Sequence, residues 1–141
     1  MDISKMILSK VKRLAWIADN DGVLPSGLVD NVFLDAYESM SIKKENNQLF
    51  VELVFEEQVD DERITTKMIY TYSLNKKLLR IEEVGNMGNI IEWDRDIIIN
   101  ELIEDIMDYI EVHYSRNEQI DFFNSLPKDI SQLIIKRFEV A

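Results

Sequence analysis

From Leu49 to Val84 the chain alternates between apolar and polar residues, broken only by short polar clusters. That alternation is the strongest constraint on the fold, because a period of two suits a half-buried strand and not a helix. LFVELVFEE (49–57) puts Leu49, Val51, Leu53 and Phe55 on one side. Phe50, Glu52, Val54 and Glu56 take the other. ITTKMIYTYSL (64–74) puts Ile64, Thr66, Met68, Tyr70, Tyr72 and Leu74 together. LLRIEEV (78–84) is a further strand. VFLDAYESMSI (32–42) is read as a strand before them: Val32, Leu34, Ala36, Met40 and Ile42 share a face, and Glu38 breaks the pattern.

The polar clusters KKENNQ (43–48), VDDER (59–63) and NKK (75–77) are short enough for tight turns. Successive strands with short turns predict an antiparallel meander of four or five strands. NIIEWD (89–94) is either a fifth strand or the entry to the next helix.

Helical spacing flanks this region. Ile3, Ile7, Val11, Leu14 and Ala18 recur at steps of three and four, with Asp2 as a candidate cap. Lys5, Lys10, Lys12 and Arg13 make that helix locally basic. DNDG (19–22) ends it. A long helix is expected from about Ile97 to Tyr114, capped by Asp94 or Asp96. Ser115 with Glu118 spells a capping box for a short helix over 116–124. Ser125 and Pro127 are expected to start a last helix bearing Ile130, Leu133, Ile134, Arg137 and Phe138 on one face. The expected class is α+β: one domain over 1–141, with an N-terminal helix and C-terminal helices packed mainly on one sheet face.

Composition narrows the chemistry. No cysteine is present, which excludes disulfides, thiol catalysis and thiolate metal sites. Cysteine absence and cations scattered through the first apolar residues make a cytoplasmic protein the default expectation, with no signal peptide or membrane span. The net charge of −11 repels a phosphate backbone, so no direct nucleic-acid binding is expected. A single histidine, His113, stands two residues from Glu111, the wrong step for a Glu-x-x-His metal pair. No nucleophile elbow, phosphate loop or dinucleotide fingerprint occurs. No catalytic residue, cofactor or metal is therefore assigned.

The candidate site lies in NELIEDIMDYIEVHY (100–114), which holds five carboxylates and no lysine or arginine. Ile99, Leu102, Ile103, Ile106, Tyr109 and Ile110 share one side of that helix. Glu101, Glu104, Asp105, Asp108 and Glu111 share the rest. Like charges four residues apart each cost a few tenths of a kcal/mol, roughly. The helix thus carries more charge than its own stability favours, and a basic partner can recover that cost.

The expectation is a soluble acidic protein-binding domain using these five residues. An immunity- or antitoxin-like inhibitor of a nuclease toxin or nucleic-acid-binding protein is the sharper form. Trp93, between Glu92 and Asp94, is a candidate anchor. Trp16 is expected to be buried beside the first helix's core face. Glu56, Glu57, Asp60, Asp61 and Glu62 make a second candidate acidic patch. One alternative is a structural subunit of a homo-oligomer or larger assembly, docking through a sheet face bearing Phe33, Tyr37, Phe50 and Val54. Another is a small carboxylate-dependent enzyme.

Overall fold

The computed structural model describes the backbone of residues 3–85 and 88–140, and the side chains of 5–85 and 88–137. The cap read at Asp2, the side chains of Ile3 and Phe138, and the loop tip at Met87 lie outside the described residues. Among the described residues the chain runs α1 (Ile3–Asp19), α2 (Pro25–Leu28), a 3₁₀ turn (Val29–Phe33) and β1 (Tyr37–Glu45). β2 (Gln48–Val59), β3 (Glu62–Ser73), β4 (Leu78–Gly85) and β5 (Gly88–Asp94) follow. The chain then continues through α3 (Arg95–His113), α4 (Arg116–Ser125) and α5 (Lys128–Val140). The fold is α+β, with a five-stranded antiparallel sheet in the order β1-β2-β3-β4-β5. NIIEWD is a strand. Two compact units form: residues 20–95 hold the sheet with α2 and the 3₁₀ turn, and residues 1–19 with 96–141 hold α1, α3, α4 and α5.

In the sheet unit, Asn46-Asn47 and Asp60-Asp61 set the registers of the first two hairpins. All four residues have positive φ, 52° and 62° in the first turn and 49° and 66° in the second. That sign at both central positions belongs to a type I′ turn, which matches strand twist. Asn and Asp adopt it at less cost than other side chains. Leu53 therefore faces Met68 and Val51 faces Tyr70. Val51, Leu53, Tyr72 and Leu78 are buried on one sheet face, and Leu28 of α2 closes over them with Val32.

Two hydrogen bonds and a glycine fix the edge of this core. The Tyr72 hydroxyl donates to the Val23 carbonyl at 2.5 Å, and burial pushes its pKa up to about 12. Leu78 N–H donates to Asp21 O at 2.8 Å. Gly22 between them has φ +81°, and a Cβ there would sit 2.9 Å from Leu78 Cβ. Only glycine fits both the dihedral and the space.

The first predicted strand begins later than its alternation suggests. Val32 and Phe33 lie in the 3₁₀ turn, and Leu34 N–H closes that turn on Asn31 O. Glu38, the residue that broke the pattern, is a β-bulge: Tyr37 pairs with Phe55, but Ser39 pairs with Val54. One extra residue rephases the strand. Tyr37 thus shares the face of Leu53 and Phe55, opposite Phe50 and Val54. The four residues proposed as one apolar docking face do not share a face.

In the helical unit, Ile7, Val11, Leu14 and Ile17 of α1 pack with Ile99, Leu102, Ile103, Ile106 and Ile110 of α3. Ile130 and Ile134 of α5 join them, and Phe122 and Phe123 of α4 pack against this core. Leu14, Ile106, Ile110 and Ile134 are wholly buried. Each contributes about 1.5–3 kcal/mol by leaving water.

The capping box forms as read: Glu118 N–H donates to Ser115 Oγ at 3.2 Å, and Ser115 N–H donates to Glu118 Oε1 at 3.0 Å. Ser125 does not cap α5. Its hydroxyl donates back to Phe122 O inside α4, and Pro127 supplies the first acceptor of α5. Trp16 is not buried; it is 65% exposed. It falls on the arc of α1 opposite Ile7, Leu14 and Val11, so the packing that buries those three turns it outward.

Candidate partner-binding surface

α3 is built by its inward stripe. Six residues at steps of three and four are buried, from Ile99 to Ile110, so the remaining arc must face water. Glu101, Glu104, Asp105, Asp108 and Glu111 are all exposed on that arc. At a rise of about 1.5 Å per residue they extend over roughly 15 Å. Val112, also on this arc, is exposed too.

The stripe has cationic borders on both sides. Toward α1, Lys10 Nζ lies 3.1 Å from Asp105 Oδ2. A cavity of about 500 Å³ follows that seam, lined by Lys10 and Arg13 opposite Glu101 and Asp105. Toward α5, Arg137 donates to Asn100 Oδ1 and to Asp96 Oδ1, both at 2.8 Å. A second cavity of about 540 Å³ there includes Glu104, Lys136 and Arg137. An exposed pair such as Lys10–Asp105 contributes about 0–1 kcal/mol. Among the described residues, Glu101, Glu104, Asp108 and Glu111 have no ion-pair partner within 4 Å. Sequence periodicity placed the five acids together but gave no sign that Lys10 would occupy one of them. His113 stacks its ring on Tyr109, with centroids 4.5 Å apart.

Trp93 belongs to the sheet unit. It is half-buried on β5, pairs with Ile81 and packs against the sheet core. The Arg95 guanidinium lies 5.3 Å from its ring centroid. The anchor candidate thus already has a cation against its ring. Asp94 takes the Arg80 guanidinium at 2.9 Å, and Asp96 lies in the first turn of α3. That hydrogen bond holds the Arg80 pKa above its usual value.

The second acidic patch divides. Glu57, Asp60, Asp61 and Glu62 are exposed, while Glu56 is half-buried and bonds to Glu38. That shared hydrogen bond, then desolvation and repulsion, holds Glu38 above the usual carboxylate range. Glu83 is raised in the same way, first by its hydrogen bond with Glu92 and last by the charge of Glu57. Sequence reasoning missed both carboxyl–carboxyl pairs. The signal was indirect: the two turns set the strand registers, and the bulges then decide which acids meet.

Comparison of the chain with protein-family models, curated proteins and solved structures gave no match. Among the described residues, no helix is long and apolar enough to cross a membrane.

Proposed function

We propose that the chain is a cytoplasmic protein-binding domain that takes a basic partner on the outer face of α3. An immunity- or antitoxin-like role fits that chemistry. A ridge of carboxylates can occupy the phosphate-binding cleft of a nuclease toxin or another nucleic-acid-binding protein, and it speeds encounter through long-range attraction. The observation that carries this proposal is the set of four exposed carboxylates, Glu101, Glu104, Asp108 and Glu111, on one helix face with no ion-pair partner among the described residues. Asp105 sits at the edge of the ridge, where a partner's cation competes with Lys10.

The test compares the native chain with a variant carrying Glu101→Gln, Glu104→Gln, Asp105→Asn, Asp108→Asn and Glu111→Gln. Each is used to capture partners from source-cell lysate at low and high salt, with identification by mass spectrometry. A basic protein held by the native chain at low salt, released at high salt and ignored by the variant is the expected result. Equal capture by both chains would remove the ridge from the interface.

A structural subunit is the second reading, favoured by the exposure of Trp16 and by Phe33 at 82% exposed. Recovery of the chain's own copies alone, at both salt levels, would favour it.

A further inference from the structure

One end of the sheet unit holds a cavity whose chemistry opposes that of the chain around it. Lys44 of β1 faces Leu49 of β2 across the ladder, and Leu49 faces Tyr72 of β3. Cross-strand partners share a face, so these three side chains form one continuous floor. Leu24, Pro25 and Ser26, at the start of α2, make one wall. Ser73, Leu74 and Lys76, at the β3–β4 turn, make the other. The cleft is open to solvent on one side and has a volume of about 420 Å³, inside the range of roughly 300–1,000 Å³ that holds small molecules.

The lining contains two lysines and no carboxylate, in a chain with 27 acidic and 16 basic residues. Neither Lys44 nor Lys76 has an ion-pair partner among the described residues. Lys43, one residue away, does: it pairs with Glu45 at 3.1 Å. The two ammonium groups are therefore available, beside apolar walls of Leu24, Pro25, Leu49 and Leu74.

The walls are also stiff. Tyr72 is held by its bond to Val23 O, which ties the floor to the segment that leads into α2. Across the β3–β4 turn, Ser73 N–H donates to Lys77 O at 2.9 Å and Lys76 N–H donates to Ser73 O at 3.0 Å. Ser73 Oγ accepts from Lys77 N–H at 3.1 Å and is bonded to Asn75. Lys76 sits at φ +73°. Glycine or asparagine adopts that dihedral more cheaply, so a lysine there spends backbone strain to hold an ammonium beside the cavity. A site formed before its ligand arrives loses less entropy on binding.

We propose that this cavity binds a small amphipathic anion, a short aliphatic carboxylate. Its tail lies on Leu24, Leu49 and Leu74, and its charge lies between Lys44 and Lys76.

Octanoate below its self-association limit is the probe, titrated into isotope-labelled protein and followed by amide chemical shifts. Octylammonium, with the same tail and opposite charge, is the control. The expected result is saturable shifts at Ser26, Leu49, Ser73 and Leu74 with octanoate and not with octylammonium. Lys44→Gln and Lys76→Gln should each weaken binding roughly two- to five-fold, the range of one exposed charge pair. The double variant should weaken it further. Both lysines are exposed, and unchanged shifts elsewhere confirm that the variants fold. Absence of saturation, an equal response to octylammonium, or undiminished affinity in the double variant would each overturn the proposal.

Discussion

The two units handle charge in opposite ways. In the helical unit it is sorted by element. α1 carries Lys5, Lys10, Lys12 and Arg13 with no acid before Asp19, while α3 has no lysine or arginine after Arg95. Among the described residues, opposite signs meet there between helices, as in Lys10–Asp105 and Arg137–Asp96. In the sheet unit, charges are matched across strands. Lys67 meets Glu52 at 2.7 Å and Arg80 meets Asp94 at 2.9 Å. A strand pair fixes the opposite and diagonal neighbours of each residue, so one position can satisfy another: Asp94 lies opposite Arg80, and Glu52 lies diagonal to Lys67. A helix face meets only its own turns and then water. Unspent charge therefore accumulates on α3. In the sheet, two carboxyl pairs, Glu38–Glu56 and Glu83–Glu92, meet where bulges upset the matching.

The largest test of this contrast is in the cores. Ile106→Ala in the helical unit and Leu53→Ala in the sheet unit should each cost about 2–5 kcal/mol in chemical denaturation. A loss below about 1 kcal/mol for Ile106→Ala would mean that α3 is not fixed by its inward stripe, and the acidic face would lose its frame.

A smaller effect is expected at the start of α4. Ser115→Ala removes the acceptor for Glu118 N–H and should cost about 1 kcal/mol. Unchanged amide exchange through residues 116–119 would show that the cap contributes nothing.

The smallest effect concerns pH, and its sign differs between the units. Glu38 and Glu83 are raised above 4.5 by neighbouring carboxylates. Their contribution is full below the unfolded value and is lost as pH rises through the raised folded value. Glu118 is lowered, because Ser115 N–H donates to its carboxylate. Its contribution is present above 4.5 and is lost as pH falls through the lowered value. Acidification from neutral thus relieves the sheet pairs and weakens the α4 cap. Carboxyl-carbon titration should place Glu83 above 4.5 and Glu118 below it. Glu92→Gln should bring Glu83 down. A Glu83 titration unmoved by that change would break the pairing.

Much of the fold was legible because its signals are local. Period-two alternation marked β2, β3 and β4, and the residues needed for the capping box stood three apart. What failed was non-local. The alternation of Val32, Leu34 and Ala36 imitates a strand, yet Val32 and Leu34 are taken up by the 3₁₀ turn, and pairing with β2 is first met at Ala36, whose carbonyl accepts from Glu56 N–H. Glu38 looked like an exception to one face and is instead the residue that changes the face. Trp16 looked like core by composition, but its position on the α1 wheel points it outward. The five acids of α3 could be grouped from spacing alone. Their pairing with Lys10, and the meeting of Glu83 with Glu92, depend on where other elements come to rest.

Arg95 has a further consequence. Its guanidinium reaches Leu78 O through Nε and Asn20 O through a terminal nitrogen, both at 2.7 Å. Asn20 is the first residue of the sheet unit and Arg95 the last. The chain therefore enters and leaves the sheet through one doorway, latched by a single side chain. Along the chain, residues 20–95 are an insertion between the two segments of the helical unit. A segment whose two ends meet can be excised, transplanted or given new termini at Asn46-Asn47 without drawing its ends apart.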